Sequence, residues 1–315
     1  MVGRKLSWVF VLAMLGCAAP ARVTPGSAVP AVPAEHANVE PGSLVQSNAT
    51  ITLDVLVPPE GDVQGALTLA RSELAAKGRF ATGTAALVST EDEHWSHRLP
   101  GYVTSRIDRE AFARVDRSVA VVRIDARAPA ARGWELIANV TEIAKHVAAS
   151  QQGWIYDAYR AELDDVHSMD SAVPDPGRRD VRSIVRVMGV TSTKGELDHV
   201  RTIGLWRLGL PELYASGIPG PNLDQAIELV RATAQILIQT GDVTRSGVIE
   251  VDRSQLPSGW PRATSGSGKL TWAARWLRGP IHDHAMIIEL SIPASTDTDP
   301  KALVTAFRAY FGSDP

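Results

Sequence analysis

The side chains whose types and spacing could do chemistry fall into three short stretches. EDEHWSH, from Glu91 to His97, gathers three carboxylates and two imidazoles. Imidazole and carboxylate are good ligands for zinc and other divalent ions. His94 and His97, three residues apart, can share one ion where a loop turns. The stretch lacks the helix-borne H-E-x-x-H spacing of zinc hydrolases, so a solvated polar loop is the competing reading. His282-Asp283-His284 follows Pro280 and leads into the apolar run AMIIELSI. In an extended chain His282 and His284 point to one face, which suits joint chelation and equally suits a polar lead-in to a strand. His94, His97, His282 and His284 form one metal site only if the fold joins the two stretches. The third stretch is KLTWAARWL, in which Leu270, Trp272, Ala274 and Trp276 alternate. As a strand it puts Trp272 and Trp276 on one face. Turned outward beside Arg275 and Arg278 they make a stacking surface for a sugar or peptide, whereas turned inward they are core, where large aromatics usually lie. The preceding SGSGK fails the phosphate-loop pattern at Ala263 and Leu270, and no G-x-S-x-G elbow is present.

A single cysteine, Cys17, closes VLAMLGC. Before it, Arg4 and Lys5 form a basic start, and Leu6 to Leu15 is an apolar run of about ten residues, half of what a membrane-spanning helix needs. This is the layout of a secretory signal peptide. Met14-Leu15-Gly16-Cys17 resembles the lipobox of bacterial lipoprotein precursors, with Gly16 and Cys17 in pattern and Met14 and Leu15 departing from it. The resemblance implies cleavage after residue 16, lipidation of Cys17 with diacylglyceryl and acyl (palmitate-like) groups, and a body exported to the periplasm or cell surface. Ala19-Pro20-Ala21 offers ordinary signal cleavage as the alternative. Either cut leaves the folded body without a thiol, which excludes disulfides, thiolate metal sites and cysteine nucleophiles there.

Residues 17–49 read as a tether, with five prolines between Pro20 and Pro41 and no apolar periodicity; such a segment cannot bury enough surface to offset its ordering entropy. The formal charge of the whole chain is -3, and acidic and basic residues are interspersed. With no basic stripe, a nucleic-acid partner is excluded.

The body beyond residue 50, about 265 residues, is long enough for a sizeable core or for two. Ile51–Val57, Thr84–Ser89, Ser118–Ala126 and Gly153–Tyr159 read as strands. Helices are expected from Asp62 to Gly78, with Val63, Leu67, Ala70 and Leu74 on one face, and through Trp134 to Ala148. The order β-α-β-β-α-β is the split βαβ pattern of ferredoxin-like domains. The cluster SAVPDPGRRD, Ser171 to Asp180, marks a boundary. Beyond it, strands are expected at Ser183–Val190, Val200–Leu208, Gly247–Asp252 and Ala285–Ile292. A helix with Leu223, Ile227, Val230 and Leu237 in one stripe lies between, and a last one starts with Asp299 as cap and Pro300 at its first position. The expectation is an α+β protein of two ferredoxin-like lobes, 50–170 and 181–315, each a mostly antiparallel sheet with helices on one face. The unit strand, long helix, glycine-led strand recurs in both lobes and suggests a duplication.

TIGLWRLGLPE, Thr202 to Glu212, together with the upstream Gly153, Tyr156 and Asp157, resembles an uncharacterised bacterial domain-of-unknown-function family. That resemblance implies no activity, since the family has none assigned. Physically, Gly209 and Pro211 make a strand end and a turn, and Glu212 on that turn is a candidate ligand-binding carboxylate. With no catalytic constellation in view, the sequence favours a membrane-tethered, non-enzymatic binding or assembly protein of the cell envelope that carries no cofactor. Its partner would be an envelope protein or a cell-wall glycan, the latter through Trp272 and Trp276. The rival is an envelope metal-dependent hydrolase holding zinc through the four histidines.

Overall fold

The structure, a computed structural model, describes residues 48–77, 82–89, 109–118, 120–157, 159–160, 162–165, 173–191, 198–240, 247–260, 265–277, 287–293 and 300–312. The protein is α+β, with mostly antiparallel sheets. Strand β1 (Asn48–Val57) shows why alternation matters: Ala49, Ile51, Leu53, Val55 and Val57 are all buried in the main core. It begins three residues ahead of the expected Ile51 because its ladder with β3 (Ala120–Pro129) runs out to Asn48 and Pro129. Helix α1 (Val63–Lys77) starts where the Asp62 carboxylate accepts the Gly65 N–H at 2.9 Å, which satisfies one of the free donors of the first turn. Its buried face is Ala66, Leu67, Ala70 and Leu74. Strand β2 (Thr82–Ser89), helix α2 (Arg109–Asp116), helix α3 (Gly133–Gln151) and strands β4 (Trp154–Asp157) and β5 (Glu162–Asp165) complete this part. The sheet order is β2-β3-β1-β4-β5, antiparallel throughout.

The strand expected from Gly153 to Tyr159 is thus shorter, and its glycine has a tight reason. A Cβ at Gly153 would lie 2.3 Å from the Leu56 carbonyl oxygen. Only a residue without that atom lets α3 turn straight back onto β1.

The second sheet contains β6 (Arg186–Val190), β7 (Asp198–Ile203), β8 (Glu212–Ile218), β9 (Val248–Asp252), β10 (Lys269–Leu277) and β11 (Ile287–Ser291), in the order β6-β7-β8-β11-β10-β9. Helices α4 (Leu223–Thr240) and α5 (Pro300–Phe311) pack on it through Leu229, Val230, Leu237, Leu303 and Phe307. Here the expected strand Val200–Leu208 is corrected. The strand stops at Ile203, Gly204 takes φ of 118°, and Leu205–Leu208 form a 3-10 turn. A further strand, β8, follows with Glu212 at its head.

The two helix crossovers also differ. β3 and β4, joined by α3, flank one strand, β1, whereas β8 and β9, joined by α4, are separated by β11 and β10, and β8 pairs parallel with β11. The recurring unit therefore folds in two different ways. One continuous core joins both sheets: Ile51, Val55 and Ile137 belong to the same buried cluster as Leu205, Leu213, Leu237 and Trp272. A smaller cluster of Leu56, Val115, Val121 and Tyr156 lies apart from it. Among the described residues no helix is long and apolar enough to cross a membrane.

Candidate functional site

The densest polar construction in the interior is built by the stretch that read as strand and turn. Glu212 is 8% exposed. Its carboxylate accepts the Thr202 hydroxyl at 2.5 Å, the Gly204 N–H at 2.7 Å and the Trp206 N–H at 3.3 Å. Thr202 Oγ1 in turn accepts the Leu213 N–H at 2.7 Å. The carboxylate thus satisfies the orphan N–H groups at the start of the 3-10 turn and ties β7 to β8. Burial pushes this carboxyl up from its ordinary range, against the hydrogen bonds from Thr202 and the backbone. Glu212 does not sit on an exposed turn awaiting a ligand; it is a brace inside the protein. Gly204, whose φ of 118° favours glycine, also has no room for a side chain, since a Cβ would meet the Ile184 carbonyl oxygen at 2.8 Å.

One turn further on, Arg207 is 1% exposed and donates from Nη1 to Asp157 Oδ2 at 2.8 Å. The other oxygen of Asp157 accepts the backbone N–H groups of Tyr159 at 3.0 Å and Arg160 at 3.1 Å. The Tyr159 ring lies 6.0 Å from the guanidinium carbon and meets Trp206 edge-on, with centroids 4.2 Å apart. Arg160 pairs with Glu162 at 2.5 Å, and its carbonyl accepts from Arg186 at 3.0 Å. This knot fastens the end of β4 to the entry of β8. Asp157 was legible as part of the Gly153-Tyr156-Asp157 motif. Arg207 was missed, although an arginine inside the apolar run TIGLWRLGL is the kind of residue that stays buried only when paired.

Beside this knot lies a cavity of about 10 Å³, counted as space open to the centre of a water molecule, with Asp157, Arg160, Asp164, Ser183 and Arg207 on its wall. Burial, with Glu162, Asp157 and Asp165 nearby and only Arg160 opposing, pushes the Asp164 carboxyl up to about 6.

Trp272 is fully buried, and its indole N–H donates to Thr233 Oγ1 at 2.9 Å. Trp276 is half-buried and packs against the same core. The two therefore do not form an exposed stacking surface for a glycan. The SGSGK loop is no phosphate cradle either: the N–H groups of Gly266, Ser267 and Gly268 donate to carbonyls of Phe311, Ala309 and Tyr310 at the end of α5. Cys17, His94, His97, His282 and His284 lie outside the described residues. Among the described residues no group of three or more His, Cys, Asp or Glu side chains could hold a metal ion.

A wider groove, about 490 Å³, runs along β9 and the end of α4, lined by Thr240, Val248, Glu250, Asp252, Lys269 and Thr271. Comparisons with family models, curated proteins and solved structures find no match.

Proposed function

We propose that the chain is a lipoprotein of the cell envelope, fastened to a membrane through Cys17, whose α+β body serves binding or assembly and carries out no chemistry. The observation that carries the anchor is the short apolar run ending in Gly16-Cys17, followed by a proline-rich tether. A binding role is supported by the groove along β9, whose volume lies in the range of pockets that hold small ligands. It is also supported by the use made of the buried charges: Asp54 grips Arg123, Asp157 grips Arg207, and Glu212 holds backbone N–H groups, so these ionisable side chains serve as braces. We read the first sheet with α1 and α3 as a ferredoxin-like unit, which the antiparallel order β2-β3-β1-β4 supports. The second unit departs from that pattern by its parallel β8–β11 pair.

The test is the intact mass of the mature protein from its native membrane, beside a Cys17→Ala variant. A mass starting at Cys17 with diacylglyceryl and acyl groups is expected, with the variant uncleaved or released. A mass starting at Arg22 without lipid would overturn the anchor. Stoichiometric zinc in protein purified without chelator would move the function to the hydrolase reading with His94, His97, His282 and His284.

A further inference from the structure

Two buried guanidinium nitrogens at the knot are unaccounted for. The Nε of Arg207 and the Nε of Arg160 have no hydrogen-bond partner among the described residues, although both atoms are sealed from solvent. An unpaired N–H in the interior costs about 1–3 kcal/mol and is rare enough to need a cause. Both side chains line the same small cavity, and so does the half-buried carboxylate of Asp164.

The chemistry of the wall selects the occupant. Two guanidinium groups repel a cation. Asp157, Asp164 and the nearby Glu162 repel an anion. A neutral molecule that accepts two hydrogen bonds and donates at least one matches the groups left over. The space of about 10 Å³ fits a single water and nothing larger, and a buried water needs two to four polar partners.

We propose that this cavity is a specific site for one water molecule, which accepts from Arg160 Nε and Arg207 Nε and donates to the Asp164 carboxylate. The water then joins three segments: the 3-10 turn carrying Arg207, the connection carrying Arg160, and β5 carrying Asp164. It extends the Asp157–Arg207 pair into a closed polar network in which the orphaned donors are satisfied.

The test is solution NMR of the intact protein with arginine side chains labelled at nitrogen. The Nε–H groups of Arg160 and Arg207 are expected to show cross-relaxation with a water of long residence, and neither resonance should exchange rapidly with solvent. Asp164→Leu fills the cavity and removes the acceptor, so both water contacts should vanish while the backbone amide spectrum is retained. Should that variant not fold, Arg160→Met at the more exposed side of the cavity decides: a shared water loses a partner, and Arg207 Nε–H should exchange at least tenfold faster. A dry Arg207 Nε–H in the unaltered protein would overturn the proposal. An Arg207 contact unchanged by Arg160→Met would overturn it as well.

Discussion

At the scale of single residues, buried charge is the feature that sets this protein's tolerances. Arg207 and Asp157 are each almost wholly removed from water and held together at 2.8 Å. Removing one partner strands the other, which costs about 3–5 kcal/mol, whereas replacing both is far milder. Arg207→Met is therefore expected to lower the urea midpoint sharply, and Arg207→Met with Asp157→Asn to recover much of the loss. Additive losses in that double-mutant cycle would show that the pair is not coupled. Glu212→Ala leaves Gly204 N–H, Trp206 N–H and the Thr202 hydroxyl without their acceptor. A loss of about 3 kcal/mol is expected in urea unfolding, in line with buried donors left unmade. Asp164 behaves in the opposite sense, because its carboxyl is pushed up from 3.8 to about 6. Between these values the folded chain keeps a proton that the unfolded chain has released, so stability falls as pH rises through that window. Asp164→Asn should match the unaltered protein near pH 4 and exceed it by about 3 kcal/mol at pH 8. Thermal midpoints across that range check the sign, and parallel curves for the two proteins would refute it.

At the scale of elements, what the sequence announces is periodicity and capping. Asp62 ahead of Val63, the stripe of Leu67, Ala70 and Leu74, and Pro300 opening the last helix all stand where expected. The alternation in KLTWAARWL also becomes a strand, β10, with Trp272 turned inward. The stretch from Val200 to Glu212 misled because it stays mostly apolar from Ile203 to Leu210. Apolar runs fit a strand and a buried 3-10 turn equally well, and only Gly204 and Gly209, at φ of 118° and 77°, mark where the chain leaves extended geometry. β8 was missed for a related reason: ELYASGI has small and polar residues where a strand usually shows branched ones. β5, with the sequence ELDD, carries no apolar pattern and is a strand only because β4 lies beside it. Gly153→Ala tests a close backbone approach, that of α3 to β1. With Leu56 oxygen 2.3 Å from the new Cβ, the end of α3 must shift, and a loss above about 2 kcal/mol is expected.

At the scale of the whole molecule, two sheets with different topologies share one core through α3, the Leu205–Leu208 turn and α4. The cluster at residues 171–180 falls between β5 and β6 in sequence, but nothing in a one-dimensional pattern tells whether two sheets share their buried face. Tryptophan fluorescence and far-ultraviolet circular dichroism are therefore expected to report one coincident unfolding transition. Two separated transitions would mean that the sheets are independent domains. The site was legible in part: the motif residues Thr202, Gly204 and Glu212 meet in one hydrogen-bonded cluster, and Asp157 pairs with an arginine, Arg207, that apolar neighbours concealed. The Asp157–Arg207 pair also orders events in time. A chain that leaves a ribosome or a translocation pore N-terminus first presents Asp157 a full 50 residues before Arg207. Until the second arrives, the acid at the end of β4 lacks the guanidinium it holds in the finished protein, so this link between the first sheet and the 3-10 turn is among the later ones to form.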